Sequence, residues 1–572
     1  MKKYLFILLS SSFLQISAQG TWTPLKNLAP TTGGEEVMLL LTDGSVMVKT
    51  DSIQCDTTGT PTWAKLTPDS HGSYINGTWT KLASMSKNRL YFSSQVLKDG
   101  RVLVVGGENG NGRLTAEIYD PQLNKWTSLS PSGIFWDGNS EVLPDGKIII
   151  AKYPFIYTKI YDPIANTWSA GPNTIGNSDE ASWVKLPDNS ILFVDILSRN
   201  SERYIPSLNK WIVDDTLPVS LYDPYGEESG PAFLLPDGRA YFTGALPNTA
   251  YYTPSGDTSK GKWSAGPTIP NNLGTPDGSG AMMVNGKILQ VFSATPTSAK
   301  HFPRPSVFYE FDYLTNTFTQ VKAPDGTDTL HGRSADVNML DLPDGTVLYS
   351  NQCSSQCYIY TPDGTPLAAG KPTISKITQN SCTFTITGTN FNGISEGANF
   401  GDDWQMSTNR PIIRLQSDSN VYYARTSNWN RTGVQTGSLP DTAEFTLPSN
   451  LPTGGYSLVV TANGIASDTV HFDYIKCFVG IDEAQATISS VNIYPNPAAD
   501  EVTIEYNSTV NGIYKIKITD VLGRMVSEES DAAVNGVNTH TLALSSISSG
   551  LYFITIQQAE NNMISKKIII QK

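Results

Sequence analysis

An apolar run, a turn of the Asp-Gly kind and a second apolar run recur seven times in this chain. The copies read "LLLTDGSVMV", "VLKDGRVLVV", "VLPDGKIII", "KLPDNSILFV", "LLPDGRAYFT", "MMVNGKILQV" and "DLPDGTVLYS". Asp-Gly and Asn-Gly accept the positive φ angles of a tight hairpin, so each copy predicts two antiparallel strands. Most copies are followed by a further pair of short segments around Tyr-Asp-Pro and a tryptophan, as in "IYDPQLNKW" and "IYDPIANTW". From Asp99 to Asp344 the turn advances 245 residues in five steps, a mean of 49. A unit of that length holds four short strands. Such a sheet hides its faces only against its neighbours, so seven copies must close into a ring. The sequence therefore predicts an all-β, seven-bladed propeller over residues 19–370. The early "TWTPL" at Trp22 is expected to supply the last blade's final strand and close the ring.

The repeat stops at Lys371. Residues 371–475 alternate apolar and polar positions from "KPTISKITQNSCTFTITGTNF" to "SLVVTANGIASDTVHFDY", the pattern of a β-sandwich. A polar linker over 476–488 leads to a third set of alternating strands over 489–572. The N-terminus, "MKKYLFILLSSSFLQISAQG", has two lysines, a short apolar core and a small-residue exit at Ser17–Ala18. It predicts a secretory signal peptide over 1–18, because the apolar core is too short for a membrane span. No other long apolar run occurs, so no membrane span is expected. Net charge is −13 without a Lys/Arg cluster, which argues against a nucleic-acid partner. In an oxidising compartment Cys353 and Cys357 of "CSSQC" are expected to pair, and Cys382 and Cys477 flank the sandwich and could do the same; Cys55 is left over. Zinc-site spacing with histidine is absent, as are nucleophile elbows and phosphate loops.

Three resemblances cover nearly the whole chain. The tail, "YPNPAADEVTIE…DVLGRMV…SGLYFI…KKIII", resembles the C-terminal sorting domain of the type IX secretion system of Bacteroidota. That resemblance implies engagement with the type IX machinery, passage through the outer membrane, removal of the tail, and a secreted or surface-attached product. Residues 371–475 resemble the immunoglobulin-like (E-set) domain of galactose oxidase and glyoxal oxidase, and the repeats resemble their kelch propeller. The segment "WAKLTPDSHGSYINGTW" is closer still to large secreted kelch proteins. These oxidases hold copper with two tyrosines and two histidines, one tyrosine being cross-linked to a cysteine. Alignment on the turns puts the cross-linked tyrosine on Tyr91, the cysteine near Glu35 and the Tyr-His pair on Ala335–Asp336. It puts the last histidine near Ala424–Gly437, a stretch without histidine. One of five residues survives, so copper is not expected as a cofactor and the oxidase reading is rejected.

Eight residues before each turn stands a column: Glu35, Tyr91, Asp137, Glu180, Ser229, Asp277 and Asp336. Five of the seven are acidic, and Glu228 sits one residue before Ser229, where a bulge could restore it. By the propeller resemblance this column starts each innermost strand at the channel mouth, which predicts a carboxylate ring. Three readings are open. The carboxylates could bind the next blade's N–H groups and hold the ring together. They could bind a hard cation such as Ca²⁺, or a ligand bearing hydroxyls or amines. Two of them could serve as acid and base on a glycan, crowding having raised one pKa. Tyr91, Trp136 and Trp183 beside the column could stack on sugars, whereas Trp79, Trp126, Trp168, Trp211 and Trp263 are expected to be structural. The function expected is binding outside the cell, with a glycan or a surface protein as ligand. A metal-independent carbohydrate-active enzyme and a structural or adhesive propeller are the alternatives.

Overall fold

The computed structural model describes residues 19–51, 58–136, 138–226, 228–400, 407–475, 488–559 and 562–572. The expected leader, and Asp137 of the column, lie outside them. The described chain divides into two units, residues 1–475 and 476–572.

In the first unit, seven antiparallel sheets form the propeller blades. Their innermost strands are Glu35–Leu40, Ser93–Val96, Ser140–Val142, Val184–Lys185, Ala232–Leu234, Ser279–Met282 and Val337–Asp341, in blades 1 to 7. Thr21–Pro24 pairs with Ser354–Thr361 as the outer strand of blade 7, Trp22 standing opposite Tyr360. The ring is thus closed by the N-terminal strand. Its apolar contacts run from blade to blade: one cluster joins Val37, Leu39, Val48, Leu90 and Val104 to Leu340 and Ile359.

The repeat's side chains explain its conservation from copy to copy. Each innermost strand ends in a turn such as Leu41–Ser45, where Gly44 N donates to Leu41 O and the Asp43 carboxylate accepts from Ser45 N. Gly44 holds φ +75°, and a Cβ there would meet the Tyr423 ring at 2.6 Å, so glycine is required twice over. In Tyr-Asp-Pro-x-x-Asn-x-Trp, the Asp120 carboxylate accepts from the N–H groups of Gln122 and Leu123. Asn124 takes a left-handed φ of 47°, and its side chain accepts from Tyr119 OH at 2.9 Å. Tyr119 then lies directly across from Trp126, ring centroids 5.1 Å apart. The same set recurs at Tyr161, Asn166 and Trp168, and at Tyr204, Asn209 and Trp211. The outer tryptophans thus close blades 2, 3 and 4.

The immunoglobulin-like domain is a sandwich of strands from Thr373–Asn380 to Val470–Tyr474, with a core of Phe384, Ile386, Ile413, Leu458, Phe445 and Phe472. It packs on the propeller face that carries the Asp-Gly turns. Thr426 N donates to Thr42 O, Asn428 N to Lys98 O and Val421 N to Ser70 O. One segment goes further: Ala398–Phe400 pairs antiparallel with Ser279–Ala281, adding a strand to the channel side of blade 6. Glu396 N donates to Leu234 O and Met282 N to Gly397 O, while Arg410 Nη2 reaches Leu40 O at 2.6 Å. The stretch that pairs along the channel side of blade 6 is therefore residues 396–400; within Ala424–Gly437, Thr426 and Asn428 lie on the turns, whereas Thr432 O accepts from the buried Lys185 Nζ at 2.9 Å. The lower mouth is covered, and the column's end of the channel is the other one.

The second unit is a separate sandwich. One sheet holds Ile488–Tyr494, Glu501–Ser508 and Gly536–Ala543; the other holds Gly512–Asp520, Met525–Ala533, Gly550–Ala559 and Asn562–Ile570. Its core is Val502, Ile504, Ile516, Ile518, Ile554 and Ile568.

The expected Cys353–Cys357 bridge is wrong. Cys353 and Cys382 are each engaged in a disulfide, whereas Cys357 is a free, buried thiol. Cys353 occupies the turn between Val347–Asn351 and Ser354–Thr361, and Cys357 lies four residues on along an extended strand. Four residues of strand span ~13 Å, beyond the reach of a disulfide. Cys55 and Cys477 lie outside the described residues.

Candidate carboxylate site at the upper channel mouth

Each described column residue comes just before, or begins, its blade's innermost strand. Their local backbone is unusual. Tyr91, Glu180 and Asp277, in blades 2, 4 and 6, hold φ angles of 51°, 49° and 48°. Left-handed backbone is costly for residues with a Cβ, of the order of 1 kcal/mol each, and persists where surrounding structure imposes it. Here it turns the chain sharply from the loop into the strand, directing these side chains toward the mouth.

Among the described residues the column does not form an even ring. Glu180, Glu228 and Asp277, from successive blades 4, 5 and 6, each bring one carboxylate oxygen within 4.8 Å of the others. At blade 5 it is Glu228 that joins this cluster; Ser229 instead donates from Oγ to Glu180 O at 2.7 Å. Asp336 is engaged inside its own blade. Its Oδ1 accepts from Arg333 Nε at 2.8 Å and Nη2 at 2.5 Å, and its Oδ2 accepts from Arg333 N. This is a capping box on the short 3₁₀ turn Ser334–Asp336, and Asp336 is fully buried. Glu35 is also fully buried, facing blade 7, where Cys357 Sγ donates to Oε2 at 3.6 Å. Burial, with Asp51 nearby, pushes its carboxyl up to about 8. Its neighbour Glu36 is paired to Lys49 at 2.6 Å, and Lys49 to Asp51 at 2.9 Å, all out of solvent.

Tyr91 reaches into the mouth from blade 2, its hydroxyl 3.5 Å from Gln352 Oε1. Burial raises its pKa well above the usual phenol range, and Arg333, Glu36, Asp277 and Asp336 all act on it electrostatically. Arg333 thus belongs to the mouth although the column reasoning missed it. The available signal was its place three residues before Asp336, the spacing of a capping box. Trp183 is not a ligand-facing aromatic: it is fully buried between Phe193 and Trp211. Trp136 is half-buried beside Tyr153.

Small neutral groups bind blade to blade at this end. Ser93 Oγ donates to Gly138 O, Asn139 Nδ2 to Ala181 O, Ser182 Oγ to Gly230 O, and Ser334 Oγ to Pro276 O. Ser350 Oγ reaches Glu36 O, linking blade 7 to blade 1. Hydroxyls and amides on backbone carbonyls therefore supply ring closure of the kind the first reading assigned to the carboxylates.

Comparison with known proteins adds the following. Residues 492–571 match the family model of the secretion system C-terminal sorting domain, and residues 96–133 match the Kelch motif. The tail is a secretion sorting domain. With it, the protein is a secreted or cell-surface kelch propeller, and the sorting domain engages the secretion machinery. No helix among the described residues is long and apolar enough to cross a membrane. Kelch-like protein 36 of Mus musculus is 28% identical over 225 residues, 34% of this chain and 34% of that protein. Ulvan lyase NLR42 of Nonlabens ulvanivorans is 26% identical over 112 residues, 20% of each chain. The chain thus spans about a third or less of these relatives' lengths. Among solved structures, a fungal alcohol oxidase of the AA5 family in complex with copper is 14% identical, with a TM-score of 0.47, over 80% of this chain and 99% of that one. Streptogramin B lyase is 12% identical, TM-score 0.41, over 60% and 98%.

Proposed function

We propose that this protein is a secreted binding protein whose kelch propeller takes a glycan at the upper channel mouth. The observation that carries the reading is the convergence of Glu180, Glu228 and Asp277 within 4.8 Å at the mouth that the immunoglobulin-like domain leaves uncovered. Carboxylate oxygens accept hydrogen bonds from sugar hydroxyls. They also suit Ca²⁺, which binds oxygen at 2.3–2.6 Å, so that two ligands of one ion lie at most ~5.2 Å apart. The copper oxidase reading has no support from the mouth, where Asp336 is bound to Arg333.

A glycan array read with Ca²⁺ and with EDTA tests this. The expected result is retention of one or more glycans that falls at least tenfold in Glu180→Gln and Asp277→Asn. If the trio binds Ca²⁺, millimolar Ca²⁺ should raise the parent's melting temperature and not the variants'. An excess of 100 times Kd corresponds to about 2.7 kcal/mol. Retention of no glycan, with an unchanged melt in Ca²⁺, would leave the mouth without this role.

A further inference from the structure

We propose that the glycan is anionic, and that the upper rim of blade 3 reads its charge; this rests on the glycan reading above. Next to the mouth the structure assembles an aromatic shelf. Trp136 and Tyr153 pack in a tilted pair with centroids 4.4 Å apart, and Tyr157 begins the next strand of the same blade. Tyr153 and Tyr157 are 38% and 40% exposed, large values for rings that already pack on neighbours. Two cations lie over its rings, and a third stands on the same blade. The Arg113 guanidinium lies 4.8 Å from the Trp136 ring centroid, Lys152 Nζ is 5.3 Å from that of Tyr157, and Lys159 Nζ is held on Ser132 Oγ at 3.0 Å.

None of these three cations is in an ion pair with a carboxylate among the described residues. Arg113 spends its Nε and Nη2 on Glu108 O, and Lys152 donates to Tyr153 O. The facing acid is Glu108, whose own carboxylate accepts from Asn109. In a chain of net charge −13, Arg113 and Lys152 lie over aromatic rings at this rim, and Lys159 is held on Ser132 of the same blade. Rings supply flat faces for sugar C–H groups. Guanidinium and ammonium groups supply charge-assisted bonds to carboxylate or sulfate substituents. The shelf adjoins the mouth through Trp136 O, which accepts from Gly107 N, and Glu108 N, which donates to Tyr91 O. One chain of sugars can therefore lie across both.

Affinity electrophoresis of the whole protein in gels carrying polygalacturonate, neutral dextran or polyglutamate tests the inference. The variants are a triple Arg113→Gln, Lys152→Gln, Lys159→Gln chain and Tyr157→Ala, with melting temperature as the control for folding. Polygalacturonate should retard the parent more than dextran does, less so in high salt. The triple variant should lose at least tenfold of that affinity without a change in melting. Equal retardation by dextran and polygalacturonate, untouched by the triple variant, would overturn the shelf's role and leave the mouth reading standing. Retardation by no glycan would overturn both. Polyglutamate binding as tight as polygalacturonate binding, lost in the triple variant, would assign the shelf to an acidic protein partner and overturn the glycan class.

Discussion

At the residue scale, similar carboxylates differ by surroundings rather than by type. Asp336 and Asp277 occupy equivalent positions, yet Asp336 is bound by Arg333 three residues away while Asp277 meets the acids of blades 4 and 5. Glu35 shows the opposite extreme. Its folded carboxyl keeps its proton up to about pH 8, chiefly through burial. An unfolded glutamate releases its proton near pH 4.3. Between those values the folded state binds more protons, so this group's contribution to stability is complete below the lower value and is lost as pH rises toward 8. Glu35→Gln removes the titration. The melting temperature of that variant relative to the parent should therefore climb steadily from pH 5 to pH 8; a flat difference would refute the assignment.

At the scale of elements, the strand Thr21–Pro24 carries the closure of the ring. Trp22 packs edge-on to Phe308 and Tyr349, with centroids at 5.6 and 5.5 Å, and donates from Nε1 to Lys322 O at 2.7 Å. Trp22→Ala should cost about 2–4 kcal/mol, below the full range for a buried aromatic because the ring is half exposed. Urea unfolding read by far-ultraviolet circular dichroism checks it. The closing strand, the blades and the role of the outer tryptophans were all legible in the sequence, because Asp-Gly turns and Tyr–Trp pairs act locally and repeat. The channel insertion was not. Residues 396–400 stabilise the fold by pairing with a strand more than a hundred residues earlier, and no local periodicity reports such a partner. The cysteines failed for a related reason: spacing in "CSSQC" suggested a small loop, whereas a turn followed by extended strand carries the two sulfurs apart. The acidic column was legible as a pattern. Its uneven convergence depended on Arg333 and on the offset at Glu228, which only the folded register sets.

At the scale of the whole molecule, the sorting domain has its own core and forms a unit separate from residues 1–475. A chain ending at Ile475 should keep the main thermal transition of the full-length protein within about 2 °C, the shift expected of less than 1 kcal/mol in a large domain. It should fail to reach the cell surface, and surface proteolysis of intact cells would show this. Loss of the transition would mean that the tail supports the propeller. The order of the parts along the chain also matters for export. The first strand of the ring has no partner until Ser354–Thr361 arrives more than three hundred residues later, so blade 7 stays open through most of the chain's delivery. The sorting signal comes after both. A translocation apparatus that waits for that signal acts when every strand needed to lock the ring is already present, and its cargo can be a finished toroid rather than a thread.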